Sequence, residues 1–267
     1  MSVDLEDYYC DLPFNTWNKF ENRIEHTTNK LLELFEKYNV RATFFTLGYI
    51  AEKHPSLIEK IVSNGHEIAS HGYSHTDIRK MSKSEFENDL KKSLDQLRKI
   101  SGDSILGFRA PFFSIEEKNI WALDVLRKYL KYDSSIFPVK TPLYGVPKAP
   151  HTIYHPSKTS PLTNDPDSDF IEIPPATLKI PIMGRIPIAG GFHLRFLPLQ
   201  LIKYGINKLN KSNSIAMCYI HPKDLDPDMP KIPEYKWYYY WKLNSATKKF
   251  ESLLKNFKFS SVRDLVL

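Results

Sequence analysis

Short apolar runs rich in aromatic and β-branched residues alternate with amphipathic stretches along most of this chain. An opening SVDL run precedes a helical stretch over residues 20–38, where Ile24, Leu31, Leu34 and Phe35 recur at helical spacing. ATFFTL (42–47) is short, apolar and aromatic, the composition of a buried strand. Pro55 opens a helix over SLIEKIVSNG that Gly65 stops, and HEIAS forms a strand running up to His71. Ser82 with Glu85 is a capping-box signature for the long helix that follows. ILGFRA, YDSSIF and SIAMCYIH continue the strands. IEEKNIWALDVLRKY and residues 198–210 and 241–256 continue the helices, and FKFSSVRDL closes the chain as strand or strand-turn. Repeated βα units require a parallel sheet with covering helices, closed or nearly closed into a barrel. A length of 267 residues suits a single α/β domain over 1–267. The stretch 137–169, rich in Pro, Thr, Ser and Asn, interrupts the alternation as a long loop shaping one face.

Composition narrows the partners. The 37 Lys+Arg against 31 Asp+Glu leave a formal charge of +6, but the excess lysines are scattered along helix-like segments and read as a solvated surface. With no RNA-binding signature or helix-turn-helix pattern, nucleic acid is not an expected partner. No apolar run reaches the roughly 18 residues of a membrane span, and MSVDLEDYYC lacks the basic and apolar regions of a leader. A soluble, cytoplasmic protein is therefore expected. The two cysteines, Cys10 and Cys218, are too few for a disulfide framework and read as buried free thiols.

The polar residues are not scattered. Three of the nine histidines, His66, His71 and His75, fall within ten positions. Asp4, Glu6 and Asp7 end the first strand, His71 and His75 follow HEIAS, Arg109 ends ILGF, Asp133 lies in YDSSIF and His221 ends SIAMCYI. Taken singly, each has an ordinary structural reading: solvated histidines on a turn, an acidic strand end, a capping arginine, a satisfied core histidine. Together they occupy the carboxyl ends of five strands, the face on which parallel βα folds build their sites. Two imidazoles plus a carboxylate form a ligand set for Zn²⁺, Fe²⁺, Co²⁺ or Mn²⁺ with positions left for water.

The stretches SVDLEDYY, RATFFTLGYIAEKHP, NGHEIASHGYSH, GFRAPFFSI, WALDVL, KYDSSIFP and YIHPKDLDP carry a resemblance that spans nearly the whole chain. It is to the polysaccharide deacetylase family (NodB-homology, carbohydrate esterase family 4), and within it to a bacterial subfamily associated with extracellular polysaccharide loci. The resemblance implies a distorted (β/α)7-type barrel. It also implies metal-dependent removal of N-acetyl groups from an amino sugar in a polysaccharide or its precursor. It makes His71 and His75 metal ligands, Asp4 the general base, Arg109 the residue orienting that base and His221 the general acid. Asp133 falls near the position of an acid that supports His221. The ion it implies is one divalent metal, Zn²⁺ first, with Co²⁺, Mn²⁺ or Fe²⁺ as alternatives.

This chain departs from the commoner family opening of two adjacent aspartates followed by Gly: it reads Asp4-Leu5-Glu6-Asp7. On a strand, positions 4 and 6 share a face, which makes Glu6 the expected third ligand. Asp7 serves instead if the strand has already turned. A backbone N–H near Tyr8 is expected to share the oxyanion with the metal. Pro111, Gly191 and Arg195 are assigned to substrate binding, the last two because Gly190-Gly191 lets backbone approach a ligand while Phe192, His193 and Arg195 line a sugar site. The aromatic run Trp237 to Trp241 is either a sugar platform or the packed start of a helix. Two other readings stay open: hydrolysis of a non-sugar amide on the same fold, and a catalytically silent glycan-binding module.

Overall fold

The computed structural model describes residues 1–102, 105–181 and 184–266. In chain order its elements begin with β1 (Ser2–Leu5), α1 (Ile24–Lys37), β2 (Thr43–Thr46), α2 (Gly48–Lys53), α3 (Pro55–Ser63) and β3 (Glu67–Ser70). They continue with α4 (Lys83–Ser101), β4 (Gly107–Phe108), α5 (Ala122–Leu126), β5 (Tyr132–Asp133) and β6 (Ile171–Glu172). The C-terminal part holds β7 (Thr177–Ile180), β8 (Gly184–Pro187), α6 (Gly191–Phe196), α7 (Leu199–Lys211), β9 (Tyr219–Ile220), α8 (Leu243–Asn256) and α9 (Arg263–Val266).

Seven strands pair in the order β6-β5-β4-β3-β2-β1-β9, every pairing parallel. The strands mix apolar residues with polar ones such as Ser2, Asp4, Thr43, Glu67, Asp133 and Glu172, and these polar side chains are buried as well. The sheet curls into a distorted (β/α)7 barrel. Between its outer strands stands one parallel bridge, Pro175 to Met217, supported by Ala176 N donating to Met217 O at 2.9 Å. Phe45, Ala69, Tyr132, Ile173, Met217 and Val262 pack as a separate small cluster. The much larger core gathers the helix faces, such as Phe86, Leu90, Leu94 and Leu97 of α4 and Phe250, Leu253 and Leu254 of α8.

Local chemistry explains where the elements depart from the sequence expectation. The first α-helix begins at Ile24 rather than Phe20, because the Asp7 carboxylate accepts from Arg23 N (2.8 Å) and Ile24 N (3.0 Å) and fixes the helix start there. Residues Phe14–Lys19 form a separate 3-10 helix. The helix expected over IEEKNIWALDVLRKY shrinks to α5, preceded by a 3-10 turn that Glu116 and Asn119 cap reciprocally. The chain end is helical, not a strand. Ser261 and Asp264 exchange backbone-to-side-chain bonds at its start, while Val262 N donates to Thr43 Oγ1 (2.7 Å) and Arg263 N to Glu67 Oε2 (2.8 Å). The β7–β8 hairpin has no counterpart in the sequence reading, since Pro181 and Pro187 obscure a strand pattern there. Residues 137–169 contain no helix or strand, as the composition suggested. Among the described residues no helix is long and apolar enough to cross a membrane.

Candidate active site

Because β1 lies between β2 and β9, its carboxyl end is flanked by the ends of neighbouring strands. Asp4, Glu6, His71, His75 and His221 line one cavity of about 460 Å³ there, together with Asp11, Lys223 and Asp224. Much of the rest of its lining is apolar or aromatic, with Phe112, Phe113, Leu143, Tyr144, Phe192, Tyr238 and Tyr239.

One ligand atom each from Glu6, His71 and His75 lie within 4.8 Å of one another, and all three residues are buried. The outer ring nitrogen of each imidazole is already committed. His71 Nδ1 donates to Arg109 O (2.7 Å) and His75 Nδ1 to Cys10 O (3.0 Å), which leaves both Nε2 lone pairs for a cation. Burial lowers the His71 pKa to about 4, so its ring is neutral near neutral pH. Glu6 Oε2 is buried without a well-directed hydrogen bond, although His75 Nε2 stands 2.6 Å away. Two electron-rich atoms this close need a positive charge between or beside them, and this donor set suits a divalent cation. In the bare protein a proton supplies it. Burial opposes a charge on His75, but Glu6 raises its pKa.

Asp7, the rival third ligand, is engaged elsewhere: Oδ1 accepts from Tyr8 N (2.8 Å) and Oδ2 holds the start of α1. Two substitutions should therefore separate the acids. Glu6→Gln should lower metal content while leaving the melting temperature near that of the parent. Asp7→Asn should keep the metal but lose about 0.5–2 kcal/mol of stability, the cost of a lost helix cap. Metal analysis with thermal melts tests this, and the opposite pattern would move the ligand to Asp7.

Asp4 and His221, expected as base and acid, face each other, His221 Nε2 lying 3.8 Å from Asp4 Oδ2 and 3.5 Å from Glu6 Oε1. Arg109 is fully buried and reaches Asp4 Oδ1 through Nη1 alone, at 2.6 Å. The two-pronged grip available to a guanidinium is not used on Asp4. The remaining donors hold Ser134 O (3.2 Å), Ser134 Oγ (2.8 Å) and Ser2 Oγ (2.9 Å), and the guanidinium stacks 4.2 Å over Phe45.

Several expected roles are reassigned. The acid on His221 is Asp224, not Asp133: Asp224 Oδ2 accepts from His221 Nδ1 at 2.7 Å. Asp133 instead accepts from Ser135 and pairs across the sheet with Glu172, and burial drives its pKa up to about 6. Burial disfavours charge on Asp224, yet His221 and Arg195 hold its pKa far down, and Asp224 in turn raises that of His221 against burial. The Tyr8 N–H donates to Asp7 and is not free for an oxyanion. Pro111 is buried and does not line the cavity. Gly191 makes room for a carboxylate rather than for a ligand, since a Cβ there would stand 1.7 Å from Asp224 Oδ2. Arg195 lines the cavity, but its donors point to protein atoms. His66 accepts from Ala42 N and packs between Phe35 and Phe44 as a core residue.

Other members of the site had only faint sequence signals. Asp224 sits three residues after His221 in HPKD, a turn in which it also accepts from His221 N at 3.0 Å. Lys223 Nζ contacts Glu6 Oε1 (2.7 Å) and Asp11 Oδ2 (3.0 Å), and with His75 holds the Glu6 pKa well below the usual range despite burial. Phe112 lies with its ring 4.5 Å from that of His75, and both residues adopt left-handed backbone (φ 57° and 51°). Such strain, about 1–3 kcal/mol per residue, collects at sites where geometry serves function.

Residues 14–129 match the model of the polysaccharide deacetylase family, and residues 134–267 match a second model, described as a domain of unknown function (DUF3473). Over residues 14–129 the chain belongs to the polysaccharide deacetylase family. Among relatives of that family it is 36% identical over 98 residues to a peptidoglycan-N-acetylglucosamine deacetylase of Bacillus cereus, covering 36% of each chain. It is 32% identical over 151 residues to a peptidoglycan deacetylase of Helicobacter pylori, covering 54% of this chain and 51% of that one. The chain thus spans about half or less of these relatives' length. A solved structure from Mycobacterium smegmatis, assigned to the polysaccharide deacetylases, has the same fold, with a TM-score of 0.65 at 16% identity, covering 100% of this chain and 87% of that one. The first matched stretch contains His71, His75 and Arg109 and the second contains His221, while Asp4 and Glu6 precede both. Strands from both stretches pair in one sheet, and the site needs both.

Proposed function

We propose that this protein is a metal-dependent N-deacetylase of acetylated amino sugars in a glycan or glycan precursor. One observation carries the reading: Asp4, held by Arg109, and His221, held by Asp224, face each other beside the cluster of Glu6, His71 and His75. An N-acetyl amide resists hydrolysis because its carbonyl is a poor electrophile and its amine a poor leaving group. A divalent cation, Zn²⁺ first among candidates, would polarise the carbonyl and make water acidic enough to attack. Asp4 Oδ2, the oxygen not held by Arg109, accepts the proton. His221 donates its Nδ1–H to Asp224, so its second proton, on Nε2, faces the cavity and can pass to the departing nitrogen. Acetate and a free amino sugar result. The activities named for the curated relatives, on peptidoglycan amino sugars, support this substrate class.

Arg109→Lys tests the base. A lysine keeps the charge but cannot hold Asp4 and both Ser134 oxygens together. It should retain metal and fold yet lose about 10- to 100-fold in kcat/KM, the usual effect of removing an outer-shell partner. Activity near that of the parent would leave Arg109 only a neutralising role. The function itself is tested by incubation with N-acetylated glucosamine oligosaccharides, which should yield free amines. Hydrolysis confined to O-acetyl esters would contradict the proposal.

A further inference from the structure

We infer that Arg195 is a positioning residue for the acid side of the site: it fixes Asp224, and through it His221, to the aromatic segment that walls the cavity. This rests on the deacetylase reading for its kinetic consequence, though not for its geometry. Arg195 is 5% exposed, at the end of a short helix that begins at Gly191. Its Nε donates to Gly191 O (3.3 Å), and Nη2 lies 3.3 Å from Asp224 Oδ1. Its Nη1 faces three carbonyls, those of Tyr238 (3.1 Å), Tyr239 (2.9 Å) and Trp241 (3.0 Å). With Nε and Nη1 given to backbone carbonyls and Nη2 beside Asp224, the buried guanidinium joins three parts of the chain in one rigid fork.

The parts joined are functional. Asp224 uses its other oxygen to accept from His221 Nδ1 and His221 N, so Arg195 and His221 grip the same carboxylate from two sides. Gly191 supplies the third side, its Cα lying where only a residue without Cβ leaves room for Asp224. Tyr238 and Tyr239 line the cavity, and their carbonyls take the Arg195 donors. The aromatic run forms a 3-10 turn, Trp237–Tyr239, just before α8, with Tyr239 and Tyr240 partly buried against the core. Trp237 and Trp241 stand 65% and 43% exposed, and the backbone between them needs an internal anchor, which Arg195 provides. The wall that meets the substrate and the carboxylate that aims the proton donor are set by one side chain.

The rival role is a staple that only holds residues 237–241 in place. The two roles differ in what Arg195→Met and Arg195→Lys do to His221. An imidazole N–H bonded to a buried carboxylate gives a far-downfield proton resonance, assignable by its loss in His221→Gln. In Arg195→Met this resonance should vanish or move upfield, and kcat should fall about 10- to 100-fold with little change in KM. Arg195→Lys keeps the charge but offers one nitrogen, which cannot serve Asp224 and three carbonyls, so it should show the same changes to a smaller degree. A folded Arg195→Met that keeps both the resonance and kcat, losing only melting temperature, would overturn the inference. If Arg195→Met fails to fold, Arg195→Lys decides on the same two readouts. A parent protein inactive on N-acetylated oligosaccharides would count against the deacetylase reading alone, and the resonance would still decide the role of Arg195.

Discussion

His75→Ala is expected to abolish stoichiometric divalent metal and to reduce turnover to background. His75 Nε2 and Glu6 Oε2 are the closest pair in the ligand set, at 2.6 Å, and the ring is oriented by its Nδ1 bond to Cys10 O. Alanine removes a ligand atom and leaves Glu6 and His71 on one side of an open space. Loss of an outer-shell partner typically costs about 10- to 100-fold, and a ligand should cost more. The fold should survive, because the site lies beyond the strand ends and the large apolar core is untouched. Elemental analysis with circular dichroism and a turnover assay checks this. A folded variant that still carries one metal per chain would remove His75 from the ligand set.

Asp4→Asn should do the opposite to metal and a similar thing to rate. Asparagine keeps the shape and can still accept from Arg109 Nη1 through its oxygen, but it cannot take a proton. Metal should stay stoichiometric while kcat falls by about 10²- to 10⁴-fold, the range for a general base, or roughly 3–5 kcal/mol of barrier. An emptied site would make Asp4 a ligand and would require a different base. The contrast between these two variants separates holding the ion from moving the proton.

The sequence carried the fold well and the site in part, for physical reasons. Short aromatic and Thr-rich composition in ATFFTL, and the place of HEIAS just past the helix stop at Gly65, marked β2 and β3, and a capping box marked α4. The carboxyl ends of those strands then located Asp4, His71, Arg109 and His221 in one cavity or its wall. What stayed hidden depends on tertiary contact. Asp133 ends β5 and Asp224 follows β9, and only the fold shows that the second lies against His221 while the first is paired with Glu172. Gly191 and Arg195 were legible as special, but their partner is Asp224 rather than a ligand. Lys223 looked like one lysine among many, and its ammonium is buried against two carboxylates.

Metal-assisted N-deacetylation at Glu6, His71 and His75 is the activity proposed for this protein. Its most direct test measures acetate and free amine released from N-acetylated glucosamine oligosaccharides, before chelation, after chelation and after Zn²⁺ is restored. Equal amounts of acetate and amine are expected, with loss of both on chelation and their recovery with the ion. Undiminished release from a protein shown by elemental analysis to be free of metal would contradict it.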